Sequence, residues 1–317
     1  MGTPEFAVPC LDILVKNGYD VVGIVTQPDK PFGRKQSQLK APPVKEAAIA
    51  YGIDVILQPV KVRTPDFLEQ LSALKPDLIV TAAYGRILTK AVLDLPRLGC
   101  INVHGSLLPK YRGAAPIQWA IINGDSVTGI TTMYMDEGMD TGDILIQREL
   151  PITPDMNADE LYEKLMELGA QTLLETMHAL EAGSLKRTPQ DNSKAVNVPM
   201  LSKEMGLIDW SKSAAEIHNL IRGTYPWPGA YTFYKCKRLK IWKSTILDHC
   251  PVDSPEFLLK KKAGEVKPGT VMKIFKDEMV IATGDGCLKV SEIQMDNCRR
   301  MNVCECGHNM DEGEVLG

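Results

Sequence analysis

The sequence predicts an α/β fold: a doubly wound, mostly parallel sheet over the first half, followed by a small antiparallel β-barrel. Three observations predict it. Near-continuous apolar runs alternate with helical patterns up to about residue 184. The pattern then fades into the polar, Pro-containing stretch "LKRTPQDNSKAVNVPMLSK". Beyond it, short extended segments recur at near-regular spacing. The implied division is a first domain over 1–184, a linker over 185–204 and a second domain over 205–317.

Taken in order, "GTPEFAVPCLDILVKNG" reads as a helix with Thr3 as N-cap, Pro4 in the first turn and an end near Lys16. This architecture normally places a strand before that helix, and none is present. The expectation is a chain that begins several residues upstream, or one that lacks its first strand. The runs "YDVVGIVTQ", "IDVILQ", "DLIVTAA" and "GCINVH" suit parallel strands buried on both faces. Between them, "APPVKEAAIAYG" and "TPDFLEQLSALKP" carry helix starts and helical lengths. The extended runs "TGITTMYM" and "GDILIQREL" follow, then a long helix from about Asn157 to Glu181 that ends at Gly183. After the linker come one helix, "SAAEIHNLIRG", and the strands "GAYTFYK", "RLKIWKSTIL", "GTVMKIF", "EMVIAT" and "CLKVSEIQ".

The 317 residues, 44% of them hydrophobic, lean towards two domains, and no apolar run reaches the roughly 18 to 20 residues of a membrane span. The N-terminus shows no basic stretch followed by an apolar one, so no signal peptide is read and the eight Cys are expected as reduced thiols in a cytoplasmic protein. The net charge of −4 hides an asymmetry. From Met205 to Phe275 there are 12 Lys and Arg against 6 Asp and Glu; from Asp277 to Gly317 there are 3 against 9.

The stretch "INVHGSLLPKYRGAAPIQWAI" ends a buried strand on Asn102 and His104. Alternation puts both side chains on one side of the strand, roughly 6.5 to 7 Å apart along it. Open α/β sheets bind ligands beyond the carboxyl ends of their strands. A loop with bends at Gly and Pro follows, and Asp140 lies in "DEGMDTGDIL" ahead of another strand. An amide donor, an imidazole and a carboxylate form a set suited to acyl transfer.

"GCINVHGSLLPKYRGAAPIQWAIINGD" followed by "MDEGMDTGDIL" resembles the active-site signature of the 10-formyltetrahydrofolate-dependent formyltransferases. "MGTPEFAVP", "VTQPDKPFGRKQ", "YPWPGAYT" and "GHNMDEGEVLG" extend the resemblance over nearly the whole chain, to the branch of that family that acts on methionyl-tRNA. The resemblance implies a Rossmann-like catalytic domain, an OB-like C-terminal barrel that binds tRNA, and 10-formyltetrahydrofolate as formyl donor without a metal. It implies that Asn102, His104 and Asp140 surround the formyl carbon while the methionine amine attacks it. Asn102 and His104 would donate to the oxyanion, and Asp140 would help to move the proton.

The same resemblance assigns folate contacts to Ser106, Leu107, Leu108 and Pro109, and to Arg86, Ile87 and Leu88 in "GRIL". The segment from Pro28 to Lys45 carries five Lys or Arg and no acid after Asp29. Such a loop is read either as a solvated connection or, by the resemblance, as an insertion into the tRNA acceptor end through Arg34, Lys35 and Lys40. "YKCKRLKIWK" alternates cations with aromatics, so Lys237, Arg238 and Lys240 are candidate backbone contacts. "VCECGH" lacks the spacing of a zinc site, and no metal is expected. The partners expected are initiator methionyl-tRNA and folate, with no membrane, and the chain is expected as a monomer. The alternatives are a formyltransferase for an amino sugar nucleotide, a formyltetrahydrofolate hydrolase and an RNA-binding module with a degenerate catalytic domain.

Overall fold

The computed structural model describes residues 1–32, 38–247 and 266–317. They form two compact units. Met1–Ile117, Val127–Pro151 and Tyr162–Pro199 make the first; Gln118–Ser126, Ile152–Leu161 and Met200–Gly317 make the second.

The first unit opens with a 3-10 turn at Glu5–Ala7 that runs into α1 (Val8–Lys16). The helix begins later than the sequence suggests, because the Thr3 hydroxyl does not cap it and instead donates to the Tyr84 carbonyl at 3.3 Å. There follow β1 (Ile24–Val25), the hairpin β2 (Lys30–Phe32) and β3 (Gln38–Lys40), α2 (Pro43–Ala50), β4 (Ile56–Leu57), α3 (Pro65–Ala73), β5 (Ile79–Ala82), α4 (Lys90–Leu93) and β6 (Cys100–His104). Next in the chain come β7 (Arg112–Gly113), α5 (Pro116–Ile122), which falls mostly in the second unit, β8 (Val127–Tyr134), β9 (Ile144–Pro151), α6 (Ala158–Glu181), whose first residues up to Leu161 also belong to the second unit, and β10 (Asn197–Val198). As predicted, α6 is closed at both ends. The Asn157 side chain accepts from the Asp159 and Glu160 amides while Glu160 returns to the Asn157 amide, and Gly183 takes φ +64 just past the end.

β1 pairs with β4 and β5 with β6, both in parallel. β8 and β9 extend the β5–β6 pair in antiparallel fashion, giving the order β5-β6-β8-β9. Ile101 and Val103 on β6 are buried, as are Phe67 and Leu71 on α3 beside Ile79 and Val92. Each such side chain contributes about 1.5 to 3 kcal/mol by leaving water. Met1 and Gly2 stand between β1 and β5. The Gly2 amide donates to the Val25 carbonyl at 3.0 Å, the Ala82 amide donates to the Met1 carbonyl at 3.0 Å, and Gly2 bridges Ala82 in parallel. β1 pairs with β4 over two residues, so its regular part is short.

The stretch from 185 to 199 pairs within the first unit. Thr188 bridges Ile144, and β10 pairs with β7 in parallel.

The second unit holds α7 (Ala214–Gly223), whose Ser213 and Glu216 form a reciprocal cap. Its strands are β11 (Tyr231–Tyr234), β12 (Lys237–Ile246), β13 (Val271–Ile274), β14 (Met279–Ala282), β15 (Cys287–Met295) and β16 (Met301–Asn302). They form one antiparallel sheet of six strands, ordered β11-β12-β15-β14-β13 with β16 on β15. β12 is irregular in register between Ile241 and Ser244, and the sheet folds around Ile217, Leu239, Ile241, Met279, Ile281 and Ile293. A short helix, α8 (Val303–Cys306), follows; Cys304 is exposed and Cys306 buried. Six cysteines among the described residues are free, but Cys287 is disulfide-bonded, against the expectation of reduced thiols throughout. No helix of the described residues is long and apolar enough to cross a membrane.

Candidate active site

Because β5 and β6 run in parallel, their carboxyl ends and following loops lie side by side. Thr81 is in register with Asn102, and its hydroxyl donates to Asn102 Oδ1 at 2.7 Å. This bond fixes the amide, leaving the Nδ2 hydrogens as the donors for a ligand.

His104 closes β6 with only 7% of its side chain exposed. Its Nε2 lies 2.9 Å from the Tyr111 carbonyl. A carbonyl can only accept, so Nε2 carries a hydrogen and donates. Nδ1 is the nitrogen that faces Asp140, with Oδ2 at 3.8 Å. That separation allows attraction to a protonated ring but is longer than a hydrogen bond.

Asp140 sits in the loop between β8 and β9, at φ +55, where a residue with a side chain is strained. The surroundings hold it there. The Gly113 amide donates to Oδ2 at 2.9 Å. Gln190 Nε2 donates to the carbonyls of Asp140 and Gly142, at 2.8 and 2.7 Å. Gln190 Oε1 in turn accepts from Arg112 Nε and Nη2, at 3.0 and 2.7 Å, and Arg112 also donates to Asn192 Oδ1 at 2.8 Å. Earlier in the loop, Asp136 Oδ1 accepts from the Gly138 amide and the Thr141 hydroxyl. Gln190 and Arg112 were not expected as site residues. Both lie in sequence far from Asp140, and Gln190 falls in the stretch read as linker.

The loop Ser106–Pro109 is strapped to the sheet. Thr131 donates to the Ser106 carbonyl and accepts from the Leu108 amide, at 2.6 and 3.1 Å, while Gln147 donates to the Leu108 carbonyl at 2.9 Å. The Ser106 hydroxyl turns inward to the Lys110 carbonyl at 2.6 Å and is fully buried. In the neighbouring loop Gly85 takes φ +74, Leu88 is buried, and Arg86 and Ile87 are exposed. The Tyr84 carbonyl just before it accepts from Gln27 Nε2 at 3.0 Å. The two loops expected to contact folate thus follow adjacent strands, on the edge where His104 and Asn102 end.

The candidate nucleic-acid contacts separate into three groups. Arg34 and Lys35 lie outside the described residues. Lys40 is exposed on the β2–β3 hairpin of the first unit, 5.6 Å from the Phe32 ring centre. Lys237, Arg238 and Lys240 lie on β12 of the second unit, where alternation puts Arg238 and Lys240 on the face opposite the buried Leu239 and Ile241. Arg238 stands 4.7 Å from the Tyr231 ring and Lys240 5.0 Å from Trp242. Burial first, then the charges of Arg238 and Lys203, lowers the pKa of the Lys240 ammonium. Arg300, which sequence reading passed over, sits between Tyr225 and Trp242 at 5.2 and 5.0 Å. Lys237 starts the strand on the other alternation and does not share this face.

Residues 1–177 match the model of the formyl transferase family, and residues 200–308 match that of the formyl transferase C-terminal domain. The chain is 54% identical to a methionyl-tRNA formyltransferase of Acetivibrio thermocellus, over all of this chain and 98% of that one. It is 50% identical to a methionyl-tRNA formyltransferase of Ruminiclostridium cellulolyticum, with the same coverage. Among solved structures it resembles in fold a sugar 3N-formyl transferase, WlaRD, at a TM-score of 0.66 and 21% identity, over 94% of this chain and 97% of that one. A Helicobacter canadensis N-formyltransferase gives 0.64 and 18%, over 95% and 97%.

Proposed function

The chain belongs to the formyl transferase family, and from that premise we propose that it moves the formyl group of 10-formyltetrahydrofolate to the amino group of methionine on initiator methionyl-tRNA. Asn102, His104 and Asp140 are the catalytic residues of this reading. The observation that supports it most is the His104–Asp140 pair, with Nδ1 and Oδ2 3.8 Å apart, beside an Asn102 amide whose orientation Thr81 sets.

The attacking amine nitrogen forms a bond to the formyl carbon, and the carbonyl electron pair moves onto oxygen. Asn102 Nδ2 donates to that oxygen. With Nε2 committed to Tyr111, a second bond from His104 comes from a protonated Nδ1 lying between Asp140 and the ligand. Donors of this kind are worth about 2.7 to 4 kcal/mol each where one has been removed. Asp140 relays the proton from the amine to the folate N10, and the bond from carbon to N10 breaks. The amine must be neutral to attack, so turnover falls at acid pH.

Residues 106–109 and 86–88 hold the folate in this reading. Residues 1–184 are the catalytic domain, 185–204 the linker and 205–317 the domain that binds tRNA. Arg34, Lys35 and Lys40 approach the acceptor end, while Lys237, Arg238 and Lys240 meet the backbone, without base reading. The protein works as a monomer in the cytoplasm.

The test is incubation with 10-formyltetrahydrofolate and, separately, initiator methionyl-tRNA, a nucleotide-linked amino sugar, or water alone. Formyl loss accelerated by the tRNA supports the reading. Acceleration by the sugar nucleotide alone, or equal loss in water, refutes it.

A further inference from the structure

We propose that Lys30 and Lys40, opposed across the β2–β3 hairpin, form a seat for one backbone phosphate of the tRNA acceptor end, and that Asp29, Lys45 and Gln58 are the positioning residues that hold the hairpin for it. This rests on the reading of the hairpin as the arm that approaches methionyl-tRNA.

The hairpin has three residues to each strand, and all six are exposed. Its register sets Lys30 directly across from Lys40, and Phe32 across from Gln38. Directly opposed residues of an antiparallel pair share a face, so two ammonium groups stand side by side and repel. Asp29 is the only acid from Pro28 to Lys45, and it does not relieve them: both of its oxygens accept from Lys45 Nζ, at 2.9 and 2.8 Å. An anion between Lys30 and Lys40 supplies the missing counter-charge. Phe32 lies on the same face, 57% exposed, with Lys40 Nζ 5.6 Å from its ring centre. Two cations beside an open aromatic ring suit a nucleotide, with its phosphate between the ammonium groups and a base against the ring.

The hairpin is held from its root. Asp29 and Lys45, 16 positions apart, have side chains only 25% and 22% exposed, so their pair is drawn largely out of water. Lys45 Nζ donates also to Gln58 Oε1 at 2.8 Å, and Gln58 Nε2 donates to Asp29 Oδ1 at 2.7 Å and to the Gln27 carbonyl at 2.9 Å. Lys45 thus directs its hydrogens inward and is not itself a phosphate contact. The bonds from Gln58 and then Lys45 hold the Asp29 carboxyl below its usual range. Gln27 in turn donates to the Tyr84 carbonyl at 3.0 Å, which fixes the root of the hairpin to the sheet edge that carries the loop 86–88.

The test measures, on the full chain, KM for methionyl-tRNA, KM for the donor, kcat at saturation and the salt dependence of tRNA binding. Lys30→Gln should raise the tRNA KM about three- to tenfold and lower the salt slope by about 1. Asp29→Ala removes a negative charge, which alone would favour a polyanion, yet it should raise the tRNA KM by about threefold or more. Gln58→Leu changes no charge and should act in the same direction. In all three variants kcat at saturation and the donor KM should stay within about twofold, a split that a general loss of folding does not produce. Combining Lys30→Gln with Asp29→Ala should raise KM by less than the product of the two effects, because the clamp acts through the lysine. A tRNA KM that falls or stays level in Asp29→Ala and Gln58→Leu, an unchanged salt slope in Lys30→Gln, or fully multiplicative effects overturns the proposal. A wild-type protein that formylates no methionyl-tRNA overturns instead the functional reading beneath it.

Discussion

The carboxyl edge of the first sheet and the outer face of β12 both carry polar side chains, but they are built in opposite ways. At the sheet edge His104 and Arg112 are buried, and Asp140 is nearly so, each tied to a backbone group or an amide. On β12, Arg238 is exposed and Lys240 half-buried, each laid over an aromatic ring. The first arrangement suits a reaction whose charge must meet fixed donors in a low-dielectric place. The second suits a polyanion whose phosphates need reach and tolerance of register. On the proposed reading, rigidity goes with chemistry, and cations on aromatic supports go with electrostatic capture.

The largest expected effect lies at the rigid end. His104→Ala should lower kcat by about 10³-fold or more while folate affinity stays within about threefold. Equilibrium binding and single-turnover rates measured on one preparation separate the two; unimpaired turnover removes His104 from the mechanism. Gln190→Leu should lower kcat by about 10- to 100-fold with KM for the donor little changed, because it frees the Asp140 loop without touching folate. It should also shift the pH profile of kcat, a change that loss of stability alone would not produce. On the solvated face, Arg238→Ala with Lys240→Ala should raise KM for tRNA and reduce the salt slope of binding by about 1 to 2, leaving kcat at saturation unchanged. An unaltered slope would move the backbone contacts elsewhere.

Much of this contrast is legible in the sequence. The two-residue period alone places Asn102 and His104 on one side of a strand, at the edge where open α/β sheets bind ligands. The alternation in "RLKIWK" likewise separates Leu239 and Ile241 from Arg238 and Lys240. Asp140 is another matter. β8 runs antiparallel to β6, with Tyr134 in register with Ile101, so the loop after it leaves from the wrong end and must double back to His104. No local period reports such a return; Asp140 was reached from its place ahead of a strand and its carboxylate chemistry, and then from the resemblance. Gln190 was hidden for a related reason. Its neighbours, Thr188, Pro189 and Asp191, form the kind of polar stretch that signals a connection, and its hydrogen bonds all reach residues 48 or more positions away. The helices were legible because their caps are local, as Ser213 and Asn157 illustrate.

On the proposed reading, the left-handed backbone of Asp140 sets durability against catalysis. Glycine adopts φ +55 without penalty, so Asp140→Gly should relax the loop and keep or raise its resistance to heat while removing the carboxylate. A protein that becomes sturdier as it loses its reaction would show that this position is conformationally uncomfortable for the sake of what the side chain does.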